Sequence, residues 1–549
     1  MLVRRGLLLL ILMTGTTVDA QAPRAAVPVA DEARLRADAE GFERAGKWDK
    51  ALDLYLKLYV SGSNTADTRD HIRHCLRNVS QAQRQRDPAF RQFVLTLSVS
   101  DALLLYAEAV GKMSGLYADR EKATVEKLFA AGLDEIDRAL SDPAFRQQLP
   151  DATDARVAKF RQVLQEGWKK KLPTTPRDAK IAARTIVAEA QAQLGLKNGS
   201  AVILELLCGG CNGLDEFSTY ITPSGAQAEL ASPVLEFAGY GLLVAFDDKG
   251  ILIDGVVPGS WAAAHTTLRK GDRILKVNER DVVPATAATV LSALRAAAPF
   301  SHDLEPAPTD LDPVPMPVKL PTPLPTVYAV DVMSAKDGIG YLRLAAFSDR
   351  TVRELDEAVL GLKNRGVKAI VLDLRGNPGG SFLSSIHSAM RFVPAGIIVT
   401  TQGQTPDFAG RVFSSDSGMT AHDIPVVLLV DTRTMSAAEV FAAGLKDNNR
   451  ATVVGMPTFG KGLVQAPIRL HALNVVGDDG KPADKSGVMI LSVASVFGAR
   501  GQSLNGTGVT PHWVEANADR QLALALAKAI ELAAGPMPSM PGGMSMGMR

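Results

Sequence analysis

From residue 338 onward, short apolar runs rich in β-branched residues alternate with helical patterns. GIGYLRLAAF (338–347), VKAIVLDLRGNPGG (367–380), PVVLLVD (425–431) and RATVVG (450–455) read as strands, and residues 350–364 read as a helix. Apolar strands separated by helices must be covered on both faces, which predicts an α/β layered domain on a mostly parallel sheet. Its bounds are expected at 327–515. A helix over 516–534 follows, and then a Gly, Pro, Ser and Met tail (535–549) with too little bulk to order itself.

The preceding chain has a different character. Residues 31–200 carry the i, i+3, i+4 apolar spacing of helices, notably at 99–116, 121–141 and 153–170. Ala39, Phe42, Trp48, Ala51, Leu52, Tyr55 and Leu58 suggest one helical hairpin broken at Gly46, with no second copy at a repeat period. An all-α N-terminal domain over 21–200 follows. It either packs on the rest of the chain or offers a surface for an adaptor or for self-association. An entry segment (201–232) leads to 233–298, where strand-like runs alternate with glycine turns and end in a helix. Nine prolines between 299 and 325 read as an extended linker, with Pro317–Leu320 the best place for one further strand.

The first residues, MLVRRGLLLLILMTGTTVDAQA, have a basic start, a short apolar run and a small-residue site at Val18-Asp19-Ala20. This is the layout of a secretory signal peptide over 1–20, and it predicts export to a periplasmic or extracellular location. The run is too short to span a bilayer, so no stable membrane span is expected. Sixty basic and 59 acidic residues leave a net charge of +1, which gives no electrostatic footing for nucleic acid. The pair Cys208-Gly-Gly-Cys211 suggests a small disulfide or two free thiols. Its two glycines argue against the helix a redox motif needs, and a single pair is a poor zinc site. No metal or cofactor is expected.

Two chemistry-bearing stretches lie in the α/β region. Ser436-Ala437-Ala438-Glu439 opens a helix after the strand PVVLLV. Ser-x-x-Glu is a capping box and needs no chemistry to justify it. A serine at a helix N-terminus is also well placed to attack, because the first-turn amides can hold an oxyanion. Such a serine needs a base. His387, His422 and His471 carry no surrounding motif. Lys461, between two glycines in a run uncharged from Gly455 to Ile468 apart from itself, could serve if burial keeps its amine neutral. A solvated turn lysine is the alternative.

Several stretches together narrow the choice. Gly239-Tyr240-Gly241-Leu242 ahead of a strand, with Leu268-Arg269-Lys270-Gly271-Asp272-Arg273-Ile274, resembles a PDZ domain. That resemblance implies a loop of amides and a strand edge that grip a polypeptide's free C-terminus. LDEFSTYITP (214–223), DLRGNPGG (373–380), SAAEVFAAGLKDNNRATVVGMPTFGKGLVQ (436–465) and SLNGTGVTP (503–511) resemble the ordered motifs of the carboxy-terminal processing proteases, PDZ-containing Ser-Lys peptidases. The resemblance implies a serine endopeptidase with Ser436 as nucleophile, Lys461 as general base and Gln465 supporting the lysine. It implies an oxyanion site from the N–H of Ala437 and of Gly379 or Gly380, with Asp447 and Thr458 as structural support. The chain departs from the family at Ala438 and His512, in its proline-rich insertion and in its long helical start. A catalytically silent peptide-binding protein of the same fold is the alternative.

Overall fold

The structure is a computed structural model describing residues 29–60, 65–224, 326–417, 421–473 and 485–535, with strand segments between 242 and 305 and between 475 and 483. Residues 1–20, expected to be a signal peptide, Gly239-Tyr240-Gly241, most of the proline-rich stretch and the tail beyond Gly535 lie outside the described residues.

Three helices open the described chain: α1 (Val29–Arg44), α2 (Trp48–Val60) and α3 (Ala66–Arg86). Gly46, at a φ of 68°, makes the turn between the first two. Four further long helices follow: α4 (Val99–Leu116), α5 (Val125–Ala139), α6 (Pro176–Leu194) and α7 (Gly199–Leu214). Side-chain N-caps start them, including Ser98 on Asp101, Thr124 on Lys127 and Thr175 on Asp178.

Helix α7 corrects two expectations. The helical region runs through Leu214 and not to residue 200, and Cys208-Gly-Gly-Cys211 lies inside a helix. Its glycines are contact points. A Cβ on Gly209 would lie 2.6 Å from Glu135 Cβ, and one on Gly213 would lie 2.4 Å from Ala131 Cβ. Close docking of α7 on α5 recovers, through packing, the helix propensity that glycine forfeits. Both cysteines are buried and outside any disulfide, as is Cys75.

The PDZ region contributes an antiparallel sheet of β2 (Leu242–Asp247), β3 (Gly250–Val256), β4 (Arg273–Val277), β5 (Arg280–Asp281) and β6 (His302–Glu305). Strand β6 pairs with β4 inside the stretch expected to be linker. Residues 302–305 fall between Pro299 and Pro306, so their N–H groups remain free to enter the ladder.

The α/β domain holds two sheets. One, preceded in the chain by β1 (Thr219–Ile221) of the other, has the order β18-β13-β12-β9-β8-β7. Its strands are β7 (Val327–Ser334), β8 (Ile339–Leu344), β9 (Ala369–Asp373), β12 (Val426–Val430), β13 (Ala451–Gly455) and β18 (Trp513–Val514). All neighbours run parallel except β7 with β8. Every residue of β9 and β12 is buried. Val371, Val427 and Leu429 face the C-terminal helix α11 (Ala518–Ala534) through Ala525 and Ala529. Ile370, Leu372, Val426 and Leu428 face a core shared with α8 (Thr351–Asn364), α9 (Phe382–Met390) and α10 (Ala437–Asp447).

The second sheet is antiparallel and was not legible in the strand pattern. Strand β17 (Val488–Gly498) pairs with β1, with β14 (Leu463–Arg469) and with β10 (Gly396–Gly403), and β10 pairs with β11 (Arg411–Ser415). A two-stranded ribbon, β15 (Val475–Val476) with β16 (Pro482–Ala483), lies beside it in sequence. Helix α4 is sewn to this sheet: Lys112 Nζ donates to the Arg469 carbonyl at 2.5 Å, and Glu108 accepts from His471 and Ala472 N–H. Among the described residues, no single helix is long and apolar enough to cross a membrane.

Candidate active site

Strand β12 ends at Val430, and the next residues turn sharply into α10. Asp431 and Thr434 close the turn on each other, and the Thr434 hydroxyl also donates to the Leu374 carbonyl at 2.9 Å. Ser436 caps the helix at a φ of 56° and a ψ of −121°. A non-glycine residue held at positive φ is a strained position that the surrounding structure must enforce. The Ser436 side chain is half-buried, and the helix N-terminus lies directly behind it.

The DLRGNPGG loop packs against that turn. Asn377 accepts through its backbone carbonyl from Met435 N–H at 3.0 Å, and its amide donates to the Leu344 carbonyl. Asn377 Oδ1 accepts from Gly379 N–H at 2.8 Å. Gly379 has a φ of 100°, and a Cβ there would lie 2.9 Å from both Ala437 N and Ser436 Cβ. At Gly380, a Cβ would strike the Phe347 carbonyl oxygen at 2.1 Å. Only glycine fits either position. Gly379 N–H is already spent on Asn377, while the N–H groups of Gly380 and Ala437 have no acceptor among the described residues. Buried Asp373 and its partners Arg343, Arg375 and Tyr341 hold the base of the loop.

Lys461 lies on the turn between β13 and β14. It is 5% exposed. Its Nζ donates to Gln465 Oε1 at 2.6 Å and sits 4.5 Å from the centre of the Phe217 ring. Gln465 Nε2 donates in turn to the Phe217 carbonyl at 3.0 Å. Burial pushes the Lys461 ammonium down to about 8, although Asp215, Glu216 and Glu439 pull it the other way. Among the described residues no hydrogen bond joins Lys461 Nζ to Ser436.

Glu439 connects the two halves. Its carboxylate is fully buried and accepts from Ser436 N–H (2.8 Å), Lys461 N–H (2.8 Å), Gly460 N–H (2.6 Å) and the Thr458 hydroxyl (2.5 Å). Desolvation raises its pKa despite those donors. The capping glutamate therefore serves the lysine turn as much as the helix. Thr458 accepts from Val509 N–H at 2.7 Å, which ties in the SLNGTGVTP segment.

Asp447 is not part of this cluster. It ends α10, about 17 Å along the helix axis from Ser436, and accepts from Ala499 N–H and Gln502 Nε2. Leu242 opens β2 of the PDZ sheet. Sequence reasoning missed Phe217, Asn377 and the second role of Glu439. Each lay inside a quoted motif, but nothing in the spacing said what it would touch.

Residues 338–514 match the model of peptidase family S41, and residues 232–298 match that of the PDZ domain. The chain belongs to peptidase family S41. A carboxy-terminal-processing protease of Bartonella bacilliformis aligns with this chain over 304 residues at 30% identity, covering 54% of this chain and 66% of that protein. The carboxy-terminal processing protease CtpA of Bacillus subtilis is 29% identical, covering 54% and 60%. A carboxyl-terminal-processing protease of Synechocystis is 38% identical over 149 residues, covering 27% and 34%. This S41 chain thus spans between a third and two thirds of the length of these curated relatives. Among solved structures, the photosystem II D1 C-terminal processing protease is 23% identical with a TM-score of 0.38, covering 75% of this chain and 93% of that one.

Proposed function

We propose that this chain is a serine endopeptidase of the C-terminal processing type, with Ser436 as nucleophile and Lys461 as general base. The observation that carries this reading is the Glu439 carboxylate, which holds Ser436 N–H and Lys461 N–H at 2.8 Å each. One buried group thus ties a strained serine at a helix N-terminus to a lysine whose amine burial keeps easily neutralised.

The Ser436 hydroxyl gives its proton to Lys461 Nζ as its oxygen attacks a backbone carbonyl carbon. The resulting oxyanion is held by the N–H of Ala437 and of Gly380. Of the two glycines the sequence offered, Gly380 is preferred because Gly379 N–H already serves Asn377. The C–N bond breaks, and Lys461 returns the proton to the leaving amine. Water then attacks the ester, Lys461 takes its proton, and the serine oxygen recovers it as the acid leaves. Gln465 and the Phe217 ring park the amine until substrate engagement turns it toward Ser436. Thr458 supports the glutamate. The PDZ region, with the loop at Gly239, Tyr240, Gly241 and Leu242, grips the substrate's free C-terminus.

The test is a pH profile of hydrolysis of an unstructured polypeptide. Only the neutral amine can accept a proton, so kcat should rise with pH and reach half its plateau near pH 8, the value to which burial brings Lys461. A limb near pH ~6.5, the ordinary histidine range, would assign the base elsewhere. Amidating the substrate's C-terminus should lower kcat/KM about tenfold or more, because the carboxylate loses its charge-assisted bonds to the amide loop. Equal rates on both substrates would remove the PDZ from substrate capture. A peptide-holding protein that does not cleave is the second reading, favoured by the missing bond between Lys461 and Ser436. Turnover of any polypeptide that stops in Ser436→Ala would exclude it.

A further inference from the structure

Helices α1–α3 pack on the parts of the site that flank the dyad. Ala51, Leu52, Tyr55, Leu56 and Tyr59 of α2 share one apolar cluster with Phe217, Met435, Phe459 and Leu463. Met435 precedes Ser436, and Phe459 and Leu463 bracket Lys461. The Tyr59 hydroxyl donates to the Phe459 carbonyl, and its ring sits 5.0 Å from that of Phe459. The Arg69 guanidinium lies over the same tyrosine ring at 5.4 Å. On α3, Arg73 Nε donates to Glu216 Oε2 and Arg77 Nε to the Asn212 carbonyl, each at 2.9 Å. Those two contacts fix the chain on both sides of Asp215, and Asp215 accepts from Phe217 and Ser218 N–H. Phe217 is the residue whose ring lies on the amine and whose carbonyl orients Gln465.

We propose that α2 and α3 form a clamp on the catalytic base, with Tyr59 and Arg73 as positioning residues. Tyr59 holds the backbone of the lysine turn. Arg73 holds Glu216, and through it the placement of Phe217 against Lys461. The clamp rests on the Ser-Lys reading of the site and gives the helical N-terminus a function in catalysis. It also sets the electrostatics of the amine. The charged groups facing Lys461 are Asp215 and Glu216 from the segment after α7 and Glu439 from α10, and Arg73 from α3 neutralises Glu216. Freeing Glu216 favours the ammonium, and so does letting water reach the amine. Both effects act against the base in the same direction.

The test uses the full chain and an unstructured peptide with a free C-terminus, with kcat and KM followed across pH. Tyr59→Phe keeps the ring and removes one hydrogen bond. Arg73→Ala removes a partly exposed ion pair. Each should lower kcat about tenfold at neutral pH with KM unchanged. In Arg73→Ala the acidic limb should move up by about one pH unit, so activity recovers in alkali. Arg73→Lys should bring the limb back. A part that only stabilises the fold would lower the melting temperature and leave the limb where it was, and that result overturns the clamp. The two readings fail separately. If Ser436→Ala still hydrolyses peptide, the Ser-Lys assignment falls. If Ser436→Ala is inactive and neither variant moves kcat or the limb, only the clamp falls.

Discussion

Lys461→Met should abolish hydrolysis and at the same time stabilise the fold. The loss of activity follows from the proton bookkeeping: without the amine nothing near Ser436 takes the hydroxyl proton, since His387, His422 and His471 are not among the residues that build the site. A fall of about 10⁴-fold or more in kcat/KM is the expected size for removing one member of a nucleophile–base pair. Ser436→Ala should fall by a similar factor, and the double variant by little more, because the pair acts as a unit. The gain in stability follows from linkage. Burial brings Lys461 from an ordinary 10.5 down to about 8 in the folded chain. The folded state therefore binds the proton more weakly than the unfolded state does. Above pH 10.5 both states are neutral and nothing is lost. As pH falls from 10.5 to 8 stability drains away, and below 8 the full cost of about 3 kcal/mol is in place. A methionine of similar length carries no such cost. Chemical denaturation at pH 7 should show Lys461→Met more stable by up to about 3 kcal/mol, with the difference vanishing above pH 10.5. A variant that is inactive but no more stable than the parent at pH 7 would mean that the amine is not desolvated, and the case for it as a base would go.

How much of this was legible beforehand can be read off particular residues. The parallel strands β9, β12 and β13 were visible because buried strands in a layered fold are uninterrupted apolar runs, and VVLLV can be little else. Ser436 and Lys461 stood out as candidates because they sit in one contiguous stretch with local signals, a cap and a glycine-flanked turn. The antiparallel sheet was not visible. Strand β17 carries Ser492 and Ser495 among its apolar residues, and its pairing with β1 joins positions some 270 residues apart. The helical Cys208–Cys211 segment was misjudged because glycine propensity is local, while the docking of α7 on α5 that overrides it is not. A last PDZ strand was expected within the proline-rich stretch but at Pro317–Leu320, because proline density was averaged over a window that also held the proline-free run 300–305. Phe217 could be placed in a motif but not against the amine, because the Gln465–Phe217 bond spans 248 residues. A capping box explains Glu439 fully at the level of sequence, and that sufficiency concealed its other three partners.

Glu439→Gln should be nearly as damaging as Glu439→Ala, although it is the closest isostere. The geometry requires acceptors on both oxygens. Oε1 takes the Thr458 hydroxyl and Gly460 N–H, and Oε2 takes Ser436 N–H and Lys461 N–H. A glutamine amide has one oxygen and one NH2. In either orientation the NH2 faces at least one backbone N–H, donor against donor, at a fully buried site. With the NH2 toward Thr458 the hydroxyl can turn, but Gly460 N–H stays unpaired. With it toward the dyad, both Ser436 and Lys461 lose their anchor. An unsatisfied buried donor costs about 1–3 kcal/mol, so Glu439→Gln should lose about 3 kcal/mol of stability. Activity should fall about 10²-fold, since small displacements of a catalytic pair are costly. Glu439→Asp separates anchoring from charge: it keeps two acceptor oxygens on a shorter stem, so it should recover part of the stability while the dyad stays misplaced. If Glu439→Gln were as stable and as active as the parent, the carboxylate would be only a helix cap, and the bridge from nucleophile to base would have to be sought in another residue.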